Sequence, residues 1–193
     1  MATFTDNFNR ADEIPIGSPW STALNSGLRL ISNEVFGFSG QDCAAIVTGE
    51  TFSATQSAEI TVKGYTSFDD FGLLVRADTS GNGYLLRHDV TNSRGFLFKL
   101  SSGVTGGSIA RFDAPLVVGD KLRLEITGNV ISAFKNNVSI ASPYTDTSST
   151  YPTGSVGIWA RDNTASPVDD FTAEGMIVSA SITDVDGDDT VID

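Results

Sequence analysis

The sequence predicts an all-β fold in which short antiparallel strands form a sandwich or a barrel around one core. Several segments alternate apolar and polar residues with the period of a half-buried strand, and no segment has a convincing helical period. Turn-forming Gly, Ser, Thr, Asn and Asp residues separate these segments at intervals of about 8–12 residues, which is typical of sandwiches and barrels. The length of 193 residues suits one domain with a sizeable core.

The predicted elements begin with the segment Phe4–Trp20, which is rich in Asp, Asn, Pro and Gly. We expect irregular structure there, anchored by Phe4, Phe8 and Trp20. Lys121–Thr127 is the clearest strand, because aliphatic and charged residues alternate along it. The other strands predicted outside the central segment are Leu28–Ile31, Glu34–Phe38, Ala44–Thr48, Ser57–Lys63, Ser108–Phe112, Val130–Asn136, Val138–Ala141, Gly154–Arg161 and Phe171–Ala180. Residues 1–180 are expected to form the domain, and the acidic residues 181–193 a tail or linker.

The central segment Phe68–Leu100 predicts a three-stranded meander, because two polar turns separate three apolar-rich runs. One register gathers most of the apolar side chains on one face, since side chains alternate along a strand. The predicted core face contains Leu73, Val75, Ala77, Tyr84, Leu86, His88, Phe96, Phe98 and Leu100. The opposite face contains Leu74, Arg76, Leu85, Arg87, Asp89, Leu97 and Lys99. Three cations therefore share this second face, which is the candidate binding surface.

The overall charge limits the classes of partner. The chain has 24 acidic and 12 basic residues, with a net charge of −12. This argues against nucleic acid or an anionic membrane as the main partner. No apolar run approaches the roughly 18–20 residues that span a bilayer, so membrane insertion is not expected.

Two features of the sequence concern the cellular compartment of the protein, namely its single cysteine and its first residues. Cys43 alone excludes an internal disulfide and a multi-cysteine metal site, and we interpret it as a small residue in or near a strand. The first residues lack a charged segment followed by an apolar one, so no classical signal peptide is expected. A virion protein, or one released by lysis to act outside the cell, fits both observations. An ordinary cytosolic protein fits them as well.

Three sets of short sequence segments occur in a characteristic order along the chain. They are Asp6–Asp12 with Trp20 downstream, Gly119–Glu125, and Gly154–Ile158 followed by Asp169, Asp170 and Phe171. Together they resemble the concanavalin A-like lectin/glucanase superfamily, especially the laminin-G-like jelly-roll modules of phage virion and bacterial extracellular proteins. The resemblance covers about residues 3–180 and implies a two-sheet antiparallel jelly-roll that binds glycans on its concave sheet. Function does not follow from the fold alone, because this architecture hosts lectins, hydrolases, lyases and structural modules.

The predicted ligand-binding residues are Arg76, Arg87 and Lys99, with Trp159 and Arg161 added from another strand. Guanidinium groups bind carboxylate or sulfate groups through paired hydrogen bonds, and an aromatic face can stack on a sugar ring. The alternative interpretation is that these are outward, solvated residues paired with acidic neighbours.

Catalysis is less favoured by the sequence. A glycoside hydrolase needs two carboxylates in one groove, and the E-x-D-x-E string of related glucanases is absent. A polysaccharide lyase stays open as an alternative, because Tyr84 and His88 lie close in sequence to the cations. In the predicted register, however, these two candidate bases and the cations occupy opposite faces. A packed core histidine is the favoured interpretation of His88.

The resemblance also implies a structural calcium ion between the N-terminal segment and the last strand. Its ligands would come from Asp6 or Asp12 and from Asp169 or Asp170. The tail run Asp184–Asp188 lacks the glycine and glutamate positions of a helix–loop–helix calcium loop.

The favoured hypothesis is a non-catalytic module that binds a glycan, which could be acidic, on a virion or outside the cell. The first alternative is a capsid-decoration or tail-spacer domain that acts through contacts with other virion proteins. The second is the lyase.

Overall fold

The computed structural model describes residues 2–66 and 69–177, and its regular structure consists of strands. None of these residues belongs to a helix able to cross a membrane. The strands are β1 (Ala2–Asp6), β2 (Trp20–Leu24), β3 (Arg29–Ile31), β4 (Glu34–Phe36), β5 (Asp42–Val47), β6 (Thr51–Val62), β7 (Asp70–Ala77), β8 (Gly83–Asp89), β9 (Arg94–Ser101), β10 (Val104–Thr105), β11 (Ala110–Asp113), β12 (Lys121–Thr127), β13 (Val130–Lys135), β14 (Val138–Ser139), β15 (Tyr144–Thr145), β16 (Ser155–Arg161) and β17 (Val168–Ile177).

The strands form two antiparallel sheets packed face to face. One sheet has nine strands in the order β14-β13-β12-β6-β17-β4-β3, with β1 beside β17 and β15 beside β13. The other has eight strands in the order β10-β9-β8-β7-β16-β5-β2, with β11 beside β9. The predicted two-sheet antiparallel jelly-roll sandwich is therefore confirmed, and the barrel alternative is not.

The main core lies between the sheets, where the alternating apolar residues of both sheets meet. Trp20 packs edge-on against Phe171 with ring centroids 4.9 Å apart, and Phe4 and Phe8 contact the same indole ring. The three predicted anchors therefore join the N-terminal segment to the last strand. Residues 7–19 are irregular as predicted, whereas Phe4–Asp6 is part of β1, which pairs with β17 as a regular strand.

The predicted meander is present as β7, β8 and β9, but the predicted faces of β9 are inverted. Leu97 pairs with Leu86 and faces the core between the sheets, whereas Phe98 pairs with Leu85 on the opposite face. Phe96 and Leu100 accompany Phe98 there. The physical reason is that the eight-stranded sheet buries apolar side chains on both faces, so apolar content did not distinguish the two registers.

Three parts of the predictions lie outside the described residues. They are Phe68 at the start of the meander, the predicted end of the last strand at residues 178–180, and the tail at residues 181–193. The lone Cys43 is fully buried in β5, in agreement with its interpretation as a small packed residue.

Candidate functional site

The outer face of the eight-stranded sheet is concave. Gly103, in the turn between β9 and β10, lies so close to Leu24 of β2 that a Cβ on this glycine would overlap the Leu24 side chain. These two residues belong to opposite ends of the strand order β10 to β2. The sheet therefore curves until its two edges meet over one face, and the positive φ of 76° favours glycine at this position.

A second, smaller hydrophobic cluster fills the part of the concave face beneath this closure. The cluster is composed of Ala23, Ala44, Ile46, Leu74, Ala77, Leu85, Phe98, Leu100 and Trp159, with Leu24 and Phe96 packed against it. Most of its members lie on the Gly103 side of the row that contains Ala44 and Trp159, and these two residues form the boundary of the cluster. This end of the concave face is therefore closed by the protein itself, and the other end is the more accessible part of the face.

From Trp159 toward the open end, the concave face carries two rows of side chains. The pairing of the strands determines which residues belong to each row. One row runs across five strands from Trp159 through Gly72, Arg87 and Phe96 to Arg111. The next row on the same face contains Asp42, Arg161, Asp70, Asp89, Arg94 and Asp113. Four of the eight arginines of this acidic chain thus meet on one face, together with four aspartates.

Arg87 lies over the indole ring of Trp159, with its Cζ atom 5.6 Å from the ring centroid. Gly72 lies between them in the row, and any side chain at this position would overlap the carbonyl oxygen of Leu86. Trp159 is only 1% exposed, so its ring is not available to stack on a sugar. Its Nε1 atom is buried and has no hydrogen-bond partner among residues 2–66 and 69–177.

Asp70 holds Arg87 in this position. Nε of Arg87 donates to Oδ2 of Asp70 at 2.9 Å, and the second oxygen of Asp70 accepts from the backbone N–H of Val90 at 3.2 Å. Burial raises the pKa of Asp70, and the interaction with Arg87 opposes this rise. Arg87 is therefore on the predicted face, but its Nε and Nη2 donors are engaged by Asp70.

Phe96 and Arg111 are the accessible members of the first row. Phe96 is half-buried and lies between Arg87 and Arg111 on neighbouring strands, and Arg94 is two residues away on the same face. Arg111 has 48% of its side chain exposed. A partly exposed ring flanked by guanidinium groups can stack on a sugar ring while the arginines donate to its oxygen atoms.

The predicted surface position of Arg76 is wrong. Its backbone has a positive φ of 49°, and the pairing with β16 shifts register here, so the side chain leaves the concave face. The guanidinium is buried and donates to the carbonyl oxygens of Ala54, Tyr151 and Gly128. The same irregularity moves Ala77 from the predicted core face to the concave side.

The predicted surface position of Lys99 is also wrong, because β9 has the inverted register. Lys99 pairs with Tyr84 on the side that faces the other sheet, and its Nζ atom donates to Oδ1 of Asp146 at 2.8 Å. Asp146 is 2% exposed, and hydrogen bonds from Lys99, Ser148 and Tyr84 lower its pKa against the effect of burial. Lys99 therefore attaches the loop at Asp146 to the meander, on the opposite face from Arg87.

Arg161 lies on the predicted face. It is two residues beyond Trp159 on β16, is about half exposed, and its Nε atom approaches Asp42 Oδ1 at 3.5 Å. Of the five predicted ligand residues, the structure thus brings together Arg87, Trp159 and Arg161. It places Arg76 and Lys99 elsewhere.

The two candidate bases of the lyase hypothesis are enclosed between the sheets. His88 is fully buried, accepts or donates a hydrogen bond with the Tyr65 hydroxyl at 3.0 Å, and stacks on Phe71. The hydroxyl of Tyr84 donates to Asp146, and burial together with this hydrogen bond raises its pKa to about 12. Neither group is on the face that carries the exposed arginines.

The four carboxylates predicted to bind calcium do not all converge on one point. Asp6 accepts hydrogen bonds from Trp20 Nε1 at 2.7 Å and from Arg10 Nη1 at 2.8 Å, so its oxygens are occupied. Asp12 accepts from the backbone of Ser32, and Asp169 is paired with Lys63. Asp170 lines a surface groove with Asp6, but no group of three metal-ligating side chains occurs among the described residues. The described side chains therefore form no three-carboxylate calcium site, and Asp6 and Asp170 are the two predicted ligands that share a groove.

Sequence reasoning missed Phe96, Arg94 and Arg111 as members of the site. Phe96 was placed on the core face, and the two arginines lie outside the predicted set. The segment Arg111-Phe112-Asp113 contains a pattern that could have predicted this. One apolar residue between two charged ones indicates a strand with both charged side chains on the outer face of the sheet.

The two curved sheets and the partly open concave face define the chain as a concanavalin A-like jelly-roll. Neither a protein-family model nor a curated protein sequence matches the chain.

Solved structures do match the chain. One is the carbohydrate-binding module CBM66 from Bacillus subtilis, with a TM-score of 0.63 and 18% identity over 84% of this chain and 94% of that module. Another is the calcium-bound exoplasmic/lumenal domain of VIP36, with a TM-score of 0.60 and 10% identity over 91% and 90% of the two chains. A third is the transglycosylase Crh5, with a TM-score of 0.61 and 9% identity over 91% and 85%. These similarities show the fold.

Proposed function

We propose that the chain is a non-catalytic glycan-binding module whose site is the open end of the concave face. The observation that carries the proposal is the half-buried Phe96 ring between Arg87 and Arg111, on the accessible part of that face. The structural similarity to the carbohydrate-binding module CBM66 supports the same use of the fold. The candidate bases His88 and Tyr84 lie on the other side of the sheet, which favours binding over catalysis.

The proposed setting is a virion or the extracellular space, where polymeric glycans are accessible. Calcium has no part in the proposed site, although one matching structure is a calcium-bound form. The reason is the donor set already described, in which Asp6 and Asp169 are paired with cations of the same chain.

A glycan array followed by calorimetric titration tests the proposal. Phe96→Ala and Arg111→Gln are expected to weaken binding of any glycan that the array identifies. The nine-stranded sheet provides matched controls, because Arg123 lies over the ring of Phe134 on its outer face, with Cζ 4.1 Å from the ring centroid. Phe134→Ala and Arg123→Gln are expected to leave binding unchanged.

Two results would contradict the proposal. One is a complete absence of binding across neutral and acidic glycans, which would favour the alternative of a domain that contacts other proteins. The other is an equal loss of binding in the variants of both sheets, which would indicate a general effect on folding. Thermal unfolding of each variant identifies such an effect directly.

A further inference from the structure

Two arginines at one corner of the concave face converge on a single carboxylate oxygen. Nη2 of Arg111 lies 3.1 Å from Oδ1 of Asp113, and Nε of Arg94 lies 3.6 Å from the same oxygen. Arg94 and Asp113 are cross-strand partners on β9 and β11, and Arg111 precedes Asp113 by two residues on the same face. The corner thus holds two guanidinium groups and one carboxylate in a small area.

The three side chains of this corner are accessible. Asp113 is 71% exposed, and the Arg94 and Arg111 side chains are 43% and 48% exposed. A guanidinium has five N–H donors, so each arginine keeps donors free for a second acceptor. Exposed ion pairs of this kind contribute little to folding stability, and an incoming ligand can rearrange them at low cost.

The neighbouring aspartates on this face are already engaged. Asp89, the cross-strand partner of Arg94 on β8, accepts hydrogen bonds from the backbone N–H and the side-chain amide of Asn92 at 3.0 and 2.9 Å. Asp70 binds Arg87. Asp113 is therefore the carboxylate that contacts both arginines at the corner.

We propose that this corner binds an anionic group of the ligand, so that the ligand class of the module is an acidic glycan. This inference rests on the proposed function, and it names the chemistry that the site selects. A uronate carboxylate or a sulfate ester would lie between Arg94 and Arg111 while its sugar ring contacts Phe96. Asp113 presents a carboxylate to both arginines in the free protein, and it competes with the ligand for them.

Because the chain has a net charge of −12, the two arginines of this corner can determine where an acidic glycan binds. An acidic polymer is repelled by most of the surface of this protein, and it is bound only where guanidinium groups face it. Binding of an acidic glycan is therefore expected to weaken with rising salt at this one face, because the attraction there is electrostatic.

The test uses two matched pairs of glycans, which also separate the two sources of anionic group. The first pair is oligogalacturonate and its methyl ester, and the second is a sulfated galactan and its desulfated form. Dissociation constants are measured by calorimetry for the whole chain, for Arg111→Gln and for Asp113→Asn. Glu125→Gln is the control for Asp113→Asn, because it removes one negative charge from the outer face of the other sheet.

We expect the acidic member of at least one pair to bind more tightly than its neutral form. Arg111→Gln should weaken binding of the acidic form roughly tenfold, and leave binding of the neutral form nearly unchanged. Asp113→Asn should strengthen binding of the acidic form by about threefold, and Glu125→Gln should have a smaller effect.

Three outcomes would overturn the inference. If the neutral form binds as tightly as the acidic form, the proposed function stands and the acidic class is wrong. If Asp113→Asn and Glu125→Gln have equal effects, net charge and not this corner governs binding. If neither member of either pair binds, and the glycan array is also negative, the proposed function fails together with this inference.

Discussion

The guanidinium of Arg87 covers the indole ring of Trp159, with 5.6 Å between Cζ and the ring centroid. Both residues are on the concave face that the sequence suggested, yet each is bound within the protein. Arg87 is held by Asp70, and Trp159 belongs to the small hydrophobic cluster. Substitutions at these two positions therefore report mainly on stability, and Arg111 and Phe96 are the better probes of binding.

Arg87→Gln is expected to lower the free energy of unfolding by about 3 kcal/mol, because it leaves the buried carboxylate of Asp70 without its cation. The double variant Arg87→Gln with Asp70→Asn should recover part of this loss, since no unpaired charge remains. Urea denaturation of the single and double variants measures both values. A single variant as stable as the original chain would show that the ion pair has no structural role.

A comparison of the two tryptophans measures how much an indole hydrogen bond contributes to the free energy of unfolding. Nε1 of Trp20 donates to Asp6 at 2.7 Å, whereas Nε1 of the equally buried Trp159 has no partner in the described part of the chain. Trp20→Phe is expected to cost about 2 kcal/mol more than Trp159→Phe, because a hydrogen bond to a charged acceptor is lost only at Trp20. Chemical denaturation of both variants tests this, and equal losses would contradict it.

Lys99 is expected to be a stability residue. Lys99→Met removes the cation that donates to the buried Asp146, so the free energy of unfolding should fall by about 2 kcal/mol. Lys121→Met is the control, because Lys121 is exposed where it pairs with Glu59, and the substitution should cost less than about 1 kcal/mol. Glycan binding by the folded Lys99 variant should be unchanged. A loss of binding without a loss of folding would show that Lys99 takes part in the candidate site.

The buried His88 predicts a loss of stability in mild acid. Burial lowers its pKa from the ordinary value of 6.5 to about 4, so the folded state holds the neutral ring. The part of the free energy of unfolding that depends on the neutral His88 ring is present above pH 6.5. It is lost as the pH falls toward 4, because the unfolded chain binds the proton more readily than the folded protein does. The shift corresponds to about 3 kcal/mol.

His88 is the only histidine of the chain, which makes the assignment direct. The pKa of Asp70 is raised by burial, so this group acts in the opposite direction near pH 4. His88→Gln should therefore lose less stability than the original chain between about pH 7.5 and about pH 4.5. Urea denaturation at the two pH values checks this, and parallel losses in both proteins would exclude His88 as the cause.

Calcium is expected to leave the melting temperature unchanged. A ligand that binds only the folded state raises this temperature by mass action, but Asp6 and Asp169 are paired with Arg10 and Lys63. Thermal unfolding in millimolar calcium and in chelator measures the effect. A clear rise with calcium, abolished by Asp170→Asn, would show that the groove between Asp6 and Asp170 binds the ion.

The architecture could be predicted from the sequence because local alternation decides which residues a strand buries. In Lys121–Thr127 the aliphatic residues face the core and the charged residues face outward, as the pattern indicates. The same logic predicted the meander and the general region of the candidate binding face. It also identified Trp20 and Phe8 as anchors of the N-terminal segment.

Only the tertiary structure decided how the candidate site is composed. In β9 both faces are apolar, so alternation could not determine whether Phe96 or Leu97 faces the core, and pairing with β8 determined it. A positive φ at Arg76 turned its side chain away from the face that it would occupy in a regular strand. The sheet edges meet where Gly103 reaches Leu24, residues far apart in sequence, and this contact closes one end of the concave face. Strand pairing, backbone irregularity and sheet curvature are properties of the assembled sheet, which is why the local sequence pattern could not determine them.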